Sequence, residues 1–393
     1  MIRTRSSAML YLDYNATTPC EEQVVAAMAP YFSRTFANPA SRQHSPGREA
    51  FLALESARKN VASAIGASSA TEVVFTSGAT EANNLAIRGL FTGSRKQHAH
   101  IVSQRTEHPA VLEPLRRLQR EGAELTLVDV DRDGRVDPDR VRAAMGESTL
   151  LVSIMLANNE TGVVQDLREI SRIAHQHGTL VHSDAAQAVG KIPVDVAELG
   201  LDLMSLSGHK VYGPKGIGAL YIRRTSPPLH LAPLVDGGGH EGGLRSGTAN
   251  VPGAVGLGRA LELAAAALDA EAERLRTMRD AFEARLMELL PELIVNGQPA
   301  PRLPGTSNVA FPGVDGEALM ASLQDLAVSS GSACASAHPE PSTVLRAMGL
   351  PKRVASSALR ISFGRPSRDD DAEHAAERIA SEVSRLRKRS SAG

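Results

Sequence analysis

Between residues 72 and 222, short apolar runs of strand type alternate with helical patterns, and no other feature limits the fold as strongly. The apolar runs fall at 72–76, 101–103, 125–130, 150–156, 180–183, 203–206 and 217–222. Helical patterns fill 81–89, 109–121, 166–177 and 195–199. A strand that is followed by a helix meets the next strand in parallel, because the crossover helix must pack back on the sheet. The pattern therefore predicts an α/β fold with a mostly parallel sheet covered by helices.

A long helical stretch at 254–290 follows. Leu275, Met278, Phe282, Leu286 and Leu289 recur there at spacings of three and four, which places them on one helix face. Beyond it, strands near 308–311 and 359–363, a helix near 317–325 and a final helix imply a second, smaller α+β unit. Ser367 with Asp370 suits the start of that last helix, and Ile379, Val383 and Leu386 give it an apolar stripe.

Composition excludes several function classes. The net charge is −1, which gives no electrostatic basis for direct nucleic-acid binding or for an anionic membrane. No uninterrupted apolar run reaches the roughly 20 residues that span a bilayer, so no membrane association is expected. The first ten residues carry Arg3 and Arg5 without an apolar segment, and no signal peptide is expected. Cys20 and Cys334 are the only cysteines. That pair does not resemble a disulfide framework, and a cytoplasmic, reducing environment is expected.

Chemistry-bearing residues cluster at the ends of the apolar runs. Ser207-Gly208-His209-Lys210 follows the run at 203–206. Ligands of α/β sheets bind beyond the carboxyl ends of strands. A lysine among small residues there suits a Schiff base with an aldehyde cofactor, and a surface lysine in a glycine-rich turn is the alternative. Asp184 ends the run at 180–183 and would be partly buried, which calls for a cationic or strongly donating partner. The pyridinium nitrogen of pyridoxal phosphate is one such partner; a helix N-cap is the other reading. Gln187, one turn on, could donate to the phenolic oxygen of such a ring. Thr76-Ser77-Gly78-Ala79-Thr80-Glu81 joins a strand to a helix in a way that favours a phosphate, as do many capped turns. Asn158-Asn159-Glu160 follows another run, where amides hold a carboxylate or a ring oxygen or build a turn.

Three further residues stand out. Cys334 sits among small polar residues, which favours an exposed, usable thiol over a buried inert one, whereas Cys20 reads as structural. Arg360 alternates with Leu359, Ile361 and Phe363, so it faces away from them. It is either a solvated strand arginine or a clamp on a substrate carboxylate. His108 either stacks on a cofactor ring or caps a helix.

Taken together, these residues resemble the cysteine desulfurases of the NifS/IscS type, pyridoxal-phosphate enzymes of the class V aminotransferase group. The resemblance is carried in order by Tyr11-Leu12-Asp13-Tyr14-Asn15-Ala16-Thr17-Thr18-Pro19, Asn38-Pro39-Ala40-Ser41, Phe75 to Glu81, Thr106-Glu107-His108, Asn158-Asn159-Glu160, Asp184-Ala185-Ala186-Gln187, Ser207 to Lys210, Arg245-Ser246-Gly247-Thr248 and the Cys334 loop.

The resemblance implies the fold of pyridoxal-phosphate transferases of fold type I. A large cofactor-binding domain would span 15–260. A small one would be made of 1–14 and 261–393 and would carry the cysteine loop at about 328–340. It also implies that Lys210 is the Schiff-base lysine, Asp184 the pyridinium partner, Gln187 the donor to the ring oxygen and His108 the residue stacked on the ring. Ala79 and Asn159 fall among the cofactor-binding positions, and Thr80, Ser207 and His209 resemble phosphate ligands. Thr248 resembles a residue that reaches the phosphate of a second subunit, hence a homodimer. Asn38, Asn159 and Arg360 resemble anchors of the substrate carboxylate, and Cys334 the persulfide carrier. L-Cysteine would become L-alanine, with the sulfur passed to an acceptor protein of iron–sulfur cluster assembly, tRNA thiolation or DNA phosphorothioation. The rival readings are a selenocysteine lyase, an aminotransferase, or a non-catalytic scaffold on the same fold.

Overall fold

The computed structural model describes residues 9–94, 99–330 and 341–391, so Cys334 and most of its loop lie outside the described residues. Twelve strands are named in chain order. β1 is Leu10–Tyr11, β2 Val73–Thr76, β3 His100–Gln104, β4 Glu124–Val128, β5 Thr149–Ser153 and β6 Leu180–Asp184. β7 is Leu203–Ser207, β8 Gly218–Ile222, β9 Ile294–Val295, β10 Thr306–Ala310, β11 Leu326–Ala327 and β12 Ala358–Ser362.

Seven strands form one sheet in the order β2-β8-β7-β6-β5-β3-β4. β8 runs antiparallel to both of its neighbours, and every other pairing in this sheet is parallel. The expectation of a mostly parallel, helix-covered sheet is met. Strand alternation divides its side chains between two cores. Phe75, Val102, Val152, Val181 and Met204 pack on one face, and Val74, Ile101, Leu151, Leu203 and Leu220 on the other.

A third core lies apart from the sheet. Leu12 meets Phe282, Phe311, Leu359, Ile361, Phe363 and Ile379 there, so the beginning and the end of the chain share it. β10 pairs with β9 and β12, while β1 pairs with β11. One helix, Val251–Leu289, joins these regions: Leu257 and Leu261 pack beneath the sheet, and Met278 and Phe282 pack in the third core. By length and composition this helix is apolar enough to cross a bilayer. Its apolar side chains are instead used on both cores.

One expected helix is absent. Residues 195–199 make a single turn, in which Asp195 Oδ1 accepts from Ala197 N and Glu198 N and Leu199 N donates to Asp195 O. Gly200 follows at φ 67°, the left-handed region, and stops propagation after that turn. The helix expected at 81–89 starts earlier, at Ala79, and passes into a π-type turn over Leu85–Gly89.

Candidate active site

The sheet topology gathers the chemistry at one edge. β3, β5, β6 and β7 are parallel, and β2 points the same way as β7 because both are antiparallel to β8. Thr76, Asp184 and Ser207 end their strands at this edge. His108 follows β3, Asn158 and Asn159 follow β5, and Lys210 closes the short turn after β7. The Thr76–Gly78 turn lies close against β8. A Cβ on Gly218 would come within 2.6 Å of the Gly78 Cα, so only glycine fits there.

Lys210 Nζ donates to the backbone oxygens of Asn15 and Ala16, at 2.6 and 2.7 Å. Asn15 is a buried hub. Its backbone oxygen also accepts from Gln187 Nε2 at 2.9 Å, and its Nδ2 donates to Thr306 Oγ1 at 3.0 Å. Through it, the N-terminal motif is tied to the lysine turn, to the Asp184 segment and to the small sheet.

Asp184 is 6% exposed. Its carboxylate accepts from Asn83 Nδ2 at 2.7 Å and from Ala186 N at 2.9 Å, and both donors are neutral. His108 lies close enough to Asp184 and Lys210 to be influenced by both. Burial and Lys210 push its imidazole below the usual range, while Asp184 opposes them. His108 Nδ1 accepts from Ala110 N at 3.0 Å and caps the Pro109–Arg120 helix. That bond leaves Nε2 as the protonated nitrogen of the neutral ring. His108 therefore does cap a helix, and the cap sets the tautomer it presents to the site.

Glu107 is buried beside this cluster. Its Oε1 accepts from Gln104 Nε2 and Met155 N, while Oε2 has no partner among the described residues. Burial, with Asp184 adding to it, pushes the carboxyl up to about 8. The folded value lies above the unfolded one, so the folded state binds more protons between pH 4.5 and 8. Stability is lost as pH rises through that window. Glu107→Gln keeps an oxygen at the Oε1 position and cannot ionise. Its melting temperature should exceed that of the parent by about 2 °C or more at pH 8.5, and match it at about pH 4, below the unfolded value. Equal curves at both pH values would show that Glu107 does not titrate in this range.

At the substrate end of the site the two asparagines divide their tasks. Asn158 builds the turn: its Oδ1 accepts from Glu160 N and Thr161 N, and its Nδ2 donates to Thr106 O. The Asn159 backbone oxygen accepts from Arg360 at 2.9 Å, and its half-buried side chain is left over. Arg360 is 5% exposed, not a solvated strand arginine. It is held by Asp13 at 2.6 Å, and its Nε has no partner among the described residues. Leu359, Ile361 and Phe363 face the core on the other side, as alternation predicts.

The remaining candidates are distributed as follows. Thr80 shares a cleft of about 490 Å³ with His108, Arg88 and Arg117. Ala79 opens the helix beside it, and Ser207 is buried at the end of β7. His209 Nδ1 bonds Thr17 Oγ1 at 3.1 Å, and burial with nearby Lys210, Lys215 and Lys191 pushes it down to about 4. Two residues stand away from the cluster. Asn38 is exposed and accepts from Ala40 N in a turn. Thr248 is exposed and lines a separate cleft with Thr76, Ser77 and Arg245. Cys20 packs against the core, and burial raises its thiol above the usual range.

Sequence reasoning passed over Asn83, Asp13, Asn15 and Lys191 as individual residues. Asn83 lies four positions after Ala79, so it stands one turn inward on the helix that begins at the phosphate-type turn. That spacing was the available signal. Asp13 and Asn15 lie within a motif whose partners are more than 100 positions away.

The sequence profile of the Aminotransferase class-V family matches residues 10–374. The chain belongs to the class-V aminotransferase family. A relative named cysteine desulfurase IscS from Anaeromyxobacter sp. (strain Fw109-5) is 51% identical over 381 residues, covering 97% of this chain and 94% of that protein. Among solved structures, a NifS-like protein aligns with TM-score 0.89 at 36% identity, over 96% of this chain and all (100%) of the other. A structure described as SspA in complex with cysteine aligns at TM-score 0.81 and 36% identity, over 90% of this chain and 98% of the other.

This group of class-V enzymes depends on pyridoxal phosphate. The residues present fit that cofactor. Asp184 is a buried carboxylate whose described donors are neutral, so a protonated ring nitrogen would supply the missing positive charge. Gly78 has nothing within 4 Å of where its Cβ would stand, which leaves open space beside the helix start. Lys210 lies among glycine and small residues with its amine already directed inward.

Proposed function

We propose that this chain is a pyridoxal-phosphate-dependent cysteine desulfurase that releases L-alanine from L-cysteine and holds the sulfur as a persulfide on Cys334. The observation that carries the reading is the meeting of Lys210, Asp184 and His108 at one sheet edge, with Arg360 held close by through Asp13 and Asn159. The relative at 51% identity carries that name over nearly its whole length.

When bound, pyridoxal phosphate supplies an aldehyde and an electron-withdrawing cationic ring. Lys210 would hold the cofactor through its aldehyde. In the presence of substrate its amine would take and return the proton of the substrate Cα. Asp184 keeps the ring nitrogen protonated, and burial strengthens that pairing. Gln187 donates to the ring oxygen, and Ala79, Thr80, Ser207 and His209 surround the phosphate. Arg360, fixed by Asp13, binds the substrate carboxylate with Asn159; Asn38 is assigned to the same carboxylate by the family resemblance alone. The Cys334 thiolate attacks the substrate sulfur. A bond forms between the two sulfurs, the carbon–sulfur bond breaks with its electron pair going to the substrate Cβ, and His108 Nε2–H supplies the proton that completes the methyl group of alanine.

The proposed division of the chain is into residues 15–260, and 1–14 with 261–393; the core that gathers Leu12 with Phe282, Phe311 and Ile379 supports it. Thr248 is exposed at a cleft it shares with Thr76 and Ser77, and its use toward the phosphate of a second copy in a homodimer is what the family resemblance suggests. The persulfide passes to an acceptor protein of iron–sulfur assembly, tRNA thiolation or DNA phosphorothioation.

The test is an assay of the purified holoenzyme with L-cysteine. Alanine should appear in step with sulfur released to a thiol, and mass spectrometry should find an added sulfur on the peptide holding Cys334. Pyruvate in place of alanine, or no added sulfur at Cys334, would reject the reading.

A further inference from the structure

The proposed chemistry leaves Lys191 unused, although it lies within the same network. Lys191 Nζ donates to Asn15 Oδ1 at 3.0 Å and to Gln187 Oε1 at 2.8 Å. Both acceptors are neutral amide oxygens. An ammonium group only donates, so Gln187 must turn its oxygen toward Lys191. Nε2 is then forced to the opposite side. There it donates to Asn15 O at 2.9 Å, the same carbonyl that accepts Lys210 Nζ. The two ends of a glutamine amide have nearly the same shape. Without Lys191, only the bond to Asn15 O, an acceptor already shared with Lys210, would oppose a flip that puts an oxygen where the donor now stands.

We propose that Lys191 is a positioning residue: it locks the Gln187 amide so that an N–H donor faces the Lys210 pocket. This rests on the reading of Lys210 as the cofactor-bearing lysine. A donor at that place favours a negatively charged ring oxygen and disfavours a further proton beside it.

The surroundings are consistent with a fixed, enclosed ammonium. Lys210 and His209 face it from the turn after β7, and Arg360, paired with Asp13, from β12. Glu271, itself bound to Arg365, faces it from the long helix. Tyr14 and Tyr212 line the small cavity beside it, with a volume of about 20 Å³. Burial, reinforced by Lys210 and Arg360 and opposed by Glu271, pushes Lys191 down to about 7.

The experiment is a pH titration of the visible absorbance of the bound cofactor, in holoenzyme without substrate. Lys191→Met should raise the midpoint by about one pH unit, because the amide is then held by one bond instead of two. Lys191→Arg keeps a donor to Oε1 and should restore the midpoint. In a Gln187→Ala background, adding Lys191→Met should produce less than half of the single-variant shift. A folded, cofactor-loaded Lys191→Met protein with the parental midpoint would overturn the proposal. So would a full shift that persists without Gln187. If Lys191→Met does not fold, Lys191→Leu, which likewise has no donor, is measured against the same two outcomes. Failure of the underlying reading looks different: borohydride would then not fix the cofactor on Lys210 of the parent enzyme.

Discussion

Lys210→Ala should lower turnover of L-cysteine by about 10⁴-fold or more, since residues that act as one catalytic unit show losses of that order. Two roles are lost at once. The amine that bonds the aldehyde is gone, and so is the base that moves the Cα proton. The fold itself should survive. Asn15 O keeps the Gln187 bond, while Ala16 O loses the Lys210 donor. One surface-near hydrogen bond is worth about 0.5–1.5 kcal/mol, too little to unfold a domain of this size. The variant should still take up cofactor, but borohydride should no longer attach it to the chain. Full turnover with an unchanged visible spectrum would remove Lys210 from the scheme.

Cys334→Ser should bind cofactor and L-cysteine with the spectral change of the parent, yet form no persulfide. Serine offers an oxygen of high pKa in place of a thiolate, and sulfur release should fall by about 10²-fold or more. Cys20→Ser supplies the internal comparison. Its thiol is packed against the core, and burial keeps it protonated, so its loss should leave sulfur release unchanged. Parental sulfide release by Cys334→Ser would mean that another group carries the sulfur.

Much of the fold was readable because strand and helix periodicities are local. Each of the seven apolar runs corresponds to a strand of the central sheet, with ends moved by a few residues. The pattern failed at 195–199, where Gly200 ends a helix after one turn. The candidate site was readable where a group ends a strand, as Asp184 does, or closes the turn after one, as Lys210 does. It was unreadable where the partner comes from far along the chain. Asn83 reaches Asp184 across 101 positions, and Asp13 reaches Arg360 across 347.

Chain order by itself settled that these residues form strands whose carboxyl ends carry a lysine, an acid and a phosphate-type turn, because periodicity and turn chemistry depend only on near neighbours. Only the folded chain decided what each group faces. The antiparallel β8 brings β2 to the same edge as β7, the buried Asn15 joins Lys210 to Gln187, and Lys191 and Asn15 bind the two ends of that glutamine amide. Those outcomes depend on desolvation and on hydrogen bonds between distant segments, which no local pattern contains.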